Sequence, residues 1–254
     1  MTATAARGRY QGMAQILRYN LPMYAGMAAA AVVAAAGARW LPLGPAASAA
    51  LLAFAAAVVL GSASSLLVSH YVYDRSGLFR WDWLFSRIAV PASWTVVHAG
   101  LDEVTPALRQ RFPAARGEVL DIYDPHEMTE PSIARARRLT PLPEPARPAP
   151  AAALPVADGS ADLVMLFFAA HELRRPASRD GLFAELRRVA RPGGRIVVVE
   201  HLRDLANALA FGPGFLHFLP RSEWLRVARE AGLAVREEVR LTPFVRAFFL
   251  EEAR

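Results

Sequence analysis

Polar side chains gather directly after the apolar runs in the second half of the chain. His171 and Glu172 follow one such run, and Glu200 and His201 follow the next. Histidine exchanges its proton near neutral pH, and a neighbouring carboxylate can hold or orient it, so these residue types suit proton transfer. We therefore take these four residues as candidate catalytic residues.

A second polar set follows two earlier runs. Glycine lets a ligand approach the backbone closely, and a carboxylate accepts hydrogen bonds from hydroxyl groups. Ligands of open α/β sheets sit outside the carboxyl ends of the strands, so both sets are expected to face one crevice. The candidate ligand-binding residues are His98, Gly100, Asp102, Glu103, Asp121 and Asp124.

The runs that position these residues are short, apolar and uninterrupted. Such runs are typical of strands buried on both faces, and helical patterns separate them here, which predicts a doubly wound α/β sheet. The stretch Pro141–Pro155 holds six prolines and is expected to be a loop or an edge element. The predicted strands are Trp94–Ala99, Glu118–Tyr123, Asp162–Phe168, Ile196–Val199, Leu233–Leu241 and Phe244–Leu250.

The composition points to a chain that lies partly in lipid. Of its 254 residues 54% are hydrophobic, and the mean hydropathy is +0.22. The chain has no cysteine, which excludes a disulfide-stapled domain, a zinc finger and a cysteine nucleophile. All 29 basic residues are arginine, against 23 acidic residues. These arginines are dispersed, so nucleic-acid binding is not expected.

Two charge-free stretches near the N-terminus are long enough to cross a bilayer as helices. We place the spans at Leu21–Ala38 and Ala47–Ser69, with Gly44-Pro45 breaking the chain between them. Two alternatives remain: a cleaved signal peptide for the first span, or two buried helices of a soluble bundle. Small residues recur at every fourth position in both spans and predict that the two helices pair along these rows. The row in the first span is Gly26, Ala30 and Ala34, and the row in the second is Ala49, Ala53, Ala57, Gly61 and Ser65.

Arginine placement predicts the orientation of this hairpin. Three arginines precede the first span and three follow the second, whereas only Arg39 lies between them. Positive loops stay cytoplasmic, so both ends are expected inside a bacterial inner membrane. The predicted division is an N-terminal segment 1–20, a hairpin 21–72, an interfacial aromatic linker 73–92 and a soluble domain 93–254. The aromatic residues of the linker fit the headgroup layer and also fit a cover over the soluble domain, and these two interpretations are compatible.

Three segments of the soluble domain resemble class I S-adenosylmethionine-dependent methyltransferases. Leu154–Val164 is similar to the entry into the fourth strand of that family. Glu185–Arg195, which contains Pro192-Gly193-Gly194, is similar to the helix and turn before the fifth strand, and Ser222–Leu233 resembles the helix before the last two strands. The resemblance covers roughly 93–250. It implies the strand order 3-2-1-4-5-7-6, an antiparallel strand seven, and S-adenosylmethionine over the carboxyl ends of strands one and two.

The sequence departs from this family at the cofactor loop. The first strand of the family ends in an acid and a GxGxG-like loop, but only Gly100 remains here, with Asp102 and Glu103 after it. These two acids are candidates for the cofactor's ammonium group. Asp121 and Asp124 are both candidates for the acid that binds the ribose. The acid that reads the adenine amine is absent, because the proline-rich stretch occupies its place.

The resemblance implies a methyltransferase, and the hairpin with its interfacial aromatics predicts that this enzyme is membrane-anchored and acts on a lipophilic small molecule, such as a quinone precursor, a lipid headgroup or an aromatic metabolite. Membrane lipids are the other expected partner, and no protein partner is predicted. His171 is the expected base for a hydroxyl acceptor, oriented by Glu172 or Glu200. Two alternatives stay open: a methyltransferase-like scaffold without catalysis, and a metal enzyme built on His98, His171, His201 and Glu200. No metal site is predicted, because these histidine spacings match no known metal motif.

Overall fold

The computed structural model describes residues 7–253, so residues 1–6 of the expected N-terminal segment and Arg254 lie outside the described part. The helices are α1 Gln11–Tyr19, α2 Leu21–Trp40, α3 Pro45–His70, α4 Asp82–Phe85, α5 Thr105–Arg111, α6 Pro131–Leu139, α7 Pro176–Val189, α8 Leu205–Phe211 and α9 Arg221–Glu230. The strands are β1 Ser93–His98, β2 Arg116–Asp121, β3 Arg147–Pro148, β4 Ala161–Phe167, β5 Ala190–His201, β6 Leu233–Thr242 and β7 Val245–Glu252. Short 3₁₀ turns lie at Ala170–Glu172 and Gly212–His217.

The strands form one sheet in the order β3-β2-β1-β4-β5-β7-β6. Strands β1 to β5 pair in parallel, and β7 runs antiparallel to both β5 and β6. This confirms the predicted doubly wound α/β sheet and its strand order. The central strands are buried on both faces: Val97 and Leu166 pack into one core layer, and Val96 and Met165 into the other. Two buried faces explain why these strands read as uninterrupted apolar runs.

The proline-rich stretch forms the edge of the sheet. Its two-residue strand β3 pairs only with β2, and the Ala149 N–H donates to the carbonyl of Asp121 at 2.9 Å. An edge position suits this segment, because proline has no N–H to give to a further strand.

Helices α2 and α3 form the predicted hairpin, with Gly44 extended and Pro45 opening α3. Both are long and apolar enough to cross a membrane by length and composition, and most of their side chains are exposed. The helices do pair, but Ala31 and Ala34 pack against Ala55. The predicted rows are therefore only partly right: Ala34 and Ser65 lie at the helix contact, whereas Gly26, Ala30 and the row from Ala49 to Gly61 face outward. Alanine is so frequent in both helices that composition cannot single out the contact face.

The aromatic segment after α3 covers one face of the sheet. Leu78 and Leu84 are fully buried, and the Trp81 ring lies 5.2 Å from the ring of Phe167 on β4. Of the two compatible interpretations, this arrangement is the cover over the soluble domain. The hairpin is thereby joined to the sheet through a shared apolar core.

Helix α1 returns to this junction. The backbone N–H groups of Gly12 and Met13 donate to the carboxylate of Asp74, at 2.6 and 3.1 Å, and His70 contacts the same carboxylate at 3.0 Å. A Cβ on Gly12 would lie 2.3 Å from the Cβ of Tyr73, so only glycine permits this close approach. Asp74 thus fixes α1 against the end of α3.

Candidate functional site

Glu200 organises the carboxyl ends of the two central strands β4 and β5. Its side chain is completely buried at the end of β5. One carboxylate oxygen accepts the backbone N–H groups of Ala170 and His171, at 3.0 and 3.2 Å, and the other lies 2.6 Å from His171 Nδ1. One carboxylate therefore fixes both the backbone and the ring of His171, while Nε2 faces Glu172 Oε1 at 3.5 Å.

His171, Glu172 and His217 form a compact cluster next to Glu200. The Oε1 atom of Glu172 lies 3.5 Å from His171 Nε2 and 3.6 Å from His217 Nε2. His217 comes from the 3₁₀ turn Gly212–His217 and is not among the residues that the sequence analysis selected. Its position depends on a chain reversal after β5, for which sequence spacing gives no signal.

The pKa values in this cluster are shifted by burial and by paired charges. Burial disfavours the imidazolium form of His171, but the carboxylates of Glu200 and Glu172 outweigh burial and raise the pKa of His171 to about 10. Burial also acts to raise the pKa of Glu172, but contacts with His171 and His217 are stronger and hold that pKa below its usual range. The cluster therefore favours the charged form of His171.

His201 lies outside this cluster. Its Nε2 is 2.7 Å from the Tyr73 hydroxyl and its Nδ1 is 3.0 Å from the carbonyl oxygen of Phe244, while the ring stacks between Phe168 and Phe218. Burial lowers the pKa of His201 to about 4, and the positive charge of His171 adds to this effect. Because both ring nitrogens are hydrogen-bonded, neither is available for acid–base chemistry. The ring instead connects the segment after α3 to the sheet.

The carboxyl end of β1 forms a second polar region. His98 Nδ1 accepts the backbone N–H of Gly100 at 3.0 Å, and burial lowers the pKa of His98 despite nearby Asp102 and Asp121. Gly100 has φ +117°, a backbone conformation that favours glycine. One oxygen of Asp102 accepts the N–H groups of Val104 and Thr105, at 3.0 and 2.9 Å, at the start of α5.

Glu103 is engaged elsewhere. Its carboxylate forms an ion pair with Arg7 at 2.7 Å, and the Arg7 guanidinium lies over the ring of Phe79 at 3.9 Å. Of the two acids that follow Gly100, Asp102 therefore stays at the end of β1, whereas Glu103 connects α5 to the residues before α1.

Asp121 and Asp124, which the sequence left as alternatives, have different surroundings. Asp121 ends β2 and forms a bidentate ion pair with Arg137 of α6, at 3.0 and 2.7 Å. Asp124 is exposed and accepts the backbone N–H of His126 at 2.8 Å, which makes it a turn residue. Arg137 was not among the candidate residues, because an arginine on a surface helix carries no distinctive signal.

A cavity of about 140 Å³ connects the two polar regions. Its roof is α1, its side is α6, and its floor is the carboxyl ends of β1 and β4. A larger groove of about 470 Å³ runs along α9, away from these strand ends. The residues that line the smaller cavity are Ile16, Tyr19, Asn20, Ala99, Leu101, Ser132, Ile133, Ala136, Phe168 and Glu172.

The end of β1 has the features that a polar cofactor needs. Among residues 7–253, His98 Nε2 and the second carboxylate oxygen of Asp102 are buried polar atoms without a hydrogen-bond partner. Buried polar atoms of this kind are expected to meet a ligand or water. A Cβ on Gly100 would lie 2.4 Å from Arg137 Cγ, so the Arg137 side chain occupies the space beside Gly100. The residues fit S-adenosylmethionine provided that Arg137 moves aside.

Comparison with known proteins agrees with the fold. Residues 102–198 match the family model described as a methyltransferase domain. No curated protein is similar to this chain in sequence at a significant level.

Solved structures of S-adenosylmethionine-dependent methyltransferases share the fold. One from Aquifex aeolicus is 17% identical, with a TM-score of 0.51 over 75% of this chain and 97% of its own. Human N-acetylserotonin methyltransferase, in complex with the cofactor, is 15% identical with a TM-score of 0.57, over 98% of this chain and 72% of its own. An O-methyltransferase of neocarzinostatin biosynthesis is 18% identical with a TM-score of 0.51, over 94% and 74%. Residues 102–198 therefore carry a methyltransferase domain, and the sheet has the strand order that the resemblance to class I S-adenosylmethionine-dependent methyltransferases implies, which supports S-adenosylmethionine as the cofactor.

Proposed function

We propose that this enzyme is anchored in the membrane and methylates a hydroxyl group of a lipophilic small molecule. The observation that carries the proposal is the position of the cavity. It lies under α1, and α1 continues through Asn20 directly into α2, the first candidate span. A lipophilic acceptor entering from the bilayer would therefore reach Glu172 along the underside of α1.

The hairpin supports the membrane part of this proposal. Val33 of α2 is 70% exposed and Leu60 of α3 is 69% exposed. In the most apolar stretch of the first candidate span only 17% of the residues are buried in the protein, and in that of the second only 6%. Exposed apolar surface of this extent is stable in lipid and costly in water. Together with the arginine distribution, it supports an inner-membrane hairpin with residues 93–254 on the cytoplasmic side.

His171 and Glu200 support the chemical part. When bound, S-adenosylmethionine supplies an electrophilic methyl group on a good leaving group. The raised pKa of His171 keeps its ring charged at neutral pH, so at alkaline pH, where the ring is neutral, Nε2 takes the hydroxyl proton as the acceptor oxygen attacks. Glu200, at 2.6 Å from Nδ1, and Glu172 stabilise the imidazolium so formed, which lowers the energy of the transition state.

Four residues near the carboxyl ends of β1 and β2 support cofactor binding, namely Arg7, Gly100, Asp102 and Asp121. Asp102 has a free carboxylate oxygen for an ammonium group, and Asp121 can accept hydrogen bonds from ribose hydroxyls once Arg137 leaves it. Arg7 holds Glu103 and so keeps the chain before α1 close to this site.

A methyl-transfer assay tests the enzyme. The full chain, purified in detergent and placed in lipid nanodiscs, is given methyl-labelled S-adenosylmethionine and a panel of acceptors. One solved neighbour carries 1,4-dihydroxy-2-naphthoic acid, so dihydroxynaphthoates are the first acceptors to test. We expect label in a hydroxylated aromatic or lipid acceptor and none in its methyl-capped analogue. Label only in water-soluble, non-aromatic acceptors would contradict the lipophilic part of the proposal.

Reporter fusions test the topology separately. A reporter inserted between Arg39 and Pro45 and one placed after the last residue are expected on opposite sides of the membrane. Both reporters on the same side would exclude the hairpin.

The scaffold alternative has one observation in its favour, namely the Arg137 side chain beside Gly100. Calorimetry of the folded protein with S-adenosylmethionine and S-adenosylhomocysteine separates the two functions. The enzyme binds both ligands, whereas no heat at millimolar ligand would favour the scaffold.

A further inference from the structure

We propose that His171, Glu172 and His217 bind a zinc ion, which activates the acceptor hydroxyl. The role of the metal in catalysis rests on the proposed function, whereas the binding of the metal does not. The metal enzyme considered from sequence used a different set, and the structure places two members of that set, His98 and His201, outside this cluster.

Two of the three spacings between the ligand atoms of this cluster match those of a zinc site. Ligand atoms about 2.1 Å from a tetrahedral zinc ion lie about 3.4 Å from one another. Here Glu172 Oε1 lies 3.5 Å from His171 Nε2 and 3.6 Å from His217 Nε2. All three ligand atoms lie within 4.8 Å of one another, so small side-chain movements complete the site.

The carboxylate behind His171 holds this ligand as a metal requires. The carboxylate of Glu200 engages His171 Nδ1 at 2.6 Å, which leaves the Nε2 lone pair for the ion. His217 Nδ1 lies 3.5 Å from Glu130, although the Arg174 guanidinium approaches the same nitrogen at 3.5 Å. Arg174 is anchored to the His217 carbonyl oxygen at 2.6 Å, so it also fixes the turn that carries His217.

Two further observations point to a ligand at this place. The second oxygen of Glu172 is buried and has no hydrogen-bond partner among the described residues. The surrounding carboxylates, from Glu172, Glu200 and Glu130, face one guanidinium, that of Arg174. With neutral histidines the cluster carries two net negative charges, which a divalent cation balances.

Two histidines and one glutamate are a ligand set that zinc uses in catalytic sites, where a fourth position stays open. Glu172 also lines the cavity, so this position is accessible to the acceptor. A hydroxyl bound there loses its proton to solvent more readily because the cation stabilises the oxyanion. The oxyanion then forms the new O–CH₃ bond while the S–CH₃ bond of the sulfonium breaks, which leaves a neutral thioether and requires no redox partner.

Cobalt substitution tests the site without any turnover. The full chain, carrying a tag without histidine, is stripped with a chelator in detergent and titrated with Co²⁺, whose visible spectrum reports tetrahedral coordination. We expect one equivalent to bind, zinc to displace it, and His217→Ala and Glu172→Gln to weaken binding at least tenfold. The matched control is His126→Ala, an exposed histidine away from the cluster, which should bind Co²⁺ like the wild type. Calorimetry with S-adenosylmethionine shows that each variant is folded.

The outcomes separate this inference from the proposed function. Less than a tenth of an equivalent of Co²⁺, or equal binding by His217→Ala and the wild type, would overturn the zinc site. If methyl transfer then persists in chelator, His171 acts directly as the base and the proposed function stands. If Co²⁺ binds as expected but no acceptor is methylated, the metal site stands and the proposed function fails.

Discussion

The two polar regions at the carboxyl ends of the strands differ in how far they are prepared for a ligand. At β4 and β5, Glu200 already holds His171 through its backbone and its ring, and Nε2 faces Glu172, which lines the cavity. At β1 and β2, Asp121 is paired with Arg137, which also occupies the space beside Gly100. The acceptor side is therefore arranged in advance, whereas the cofactor side requires one side chain to leave.

Preorganised groups lower a reaction barrier because they need no rearrangement when charge develops. A side chain that must be displaced reduces affinity by the free energy of the contact it gives up. Changes at the acceptor side are accordingly expected to alter turnover, and changes at the cofactor side to alter binding.

The largest effect is expected at His171. His171→Ala removes the group that takes the proton or holds the cation, so turnover with a hydroxyl acceptor should fall by about 10²- to 10⁴-fold. The affinity for S-adenosylmethionine should change by less than about twofold, because His171 makes no contact at the end of β1. Steady-state rates together with calorimetry check both numbers.

His126→Ala is the matched control and should leave both quantities unchanged. If His171→Ala instead weakens cofactor binding and spares turnover, the division of labour between the two regions is wrong.

Much of the fold could be predicted from sequence because its signals are local. Apolar runs gave the central strands, and Gly44-Pro45 gave the hairpin turn. The candidate residues His171 and Glu200 could also be predicted, since residues after parallel strands meet at one sheet edge. Arg137 and His217 could not, because their positions depend on how α6 and a 3₁₀ turn fold back over that edge.

His201 is the opposite case, a residue that the sequence suggests for the site and that the structure places outside the cluster. It is the last residue of β5, directly after Glu200, so the sequence makes it as strong a candidate as His171. The rings of Phe168 and Phe218 and the hydroxyl of Tyr73 enclose it instead. Burial among side chains distant in sequence decides the difference, and periodicity does not report such contacts.

The buried His201 makes stability depend on pH in mildly acidic solution. An unfolded chain protonates this histidine near its ordinary pKa of 6.5, whereas the folded protein does so only near about 4. Between these values the unfolded chain binds more protons, so folding stability decreases as the pH falls through this window, by up to about 3 kcal/mol. Unfolding curves in detergent at several pH values measure the decrease.

The variant His201→Gln removes this titration and serves as the reference, because other groups titrate in the same window. The wild type should lose more stability than the variant between pH 6.5 and 4. Parallel pH profiles for the two proteins would mean that His201 is not neutral in the folded state.

A smaller effect is expected at Arg137. Arg137→Ala frees Asp121 and the space beside Gly100, so S-adenosylmethionine no longer displaces a bidentate ion pair. Binding should tighten about tenfold, which corresponds to about 1.4 kcal/mol. Arg138→Ala, an exposed neighbour on the same helix, is the control and should bind like the wild type. Weaker binding by Arg137→Ala would show that the guanidinium contacts the cofactor.

The smallest effect distinguishes the two acids that the sequence left open. Asp124 is exposed and its carboxylate accepts the N–H of His126, so Asp124→Ala should change the cofactor affinity by less than about twofold. Asp121 ends β2 opposite His98 of β1, and Asp121→Asn should weaken binding at least about tenfold, since a charged acceptor of ribose hydroxyls is lost. Calorimetry on both variants measures the contrast. If Asp124→Ala gave the larger loss, the ribose would lie over the turn after β2, and the Arg137 pair would no longer stand between the cofactor and its site.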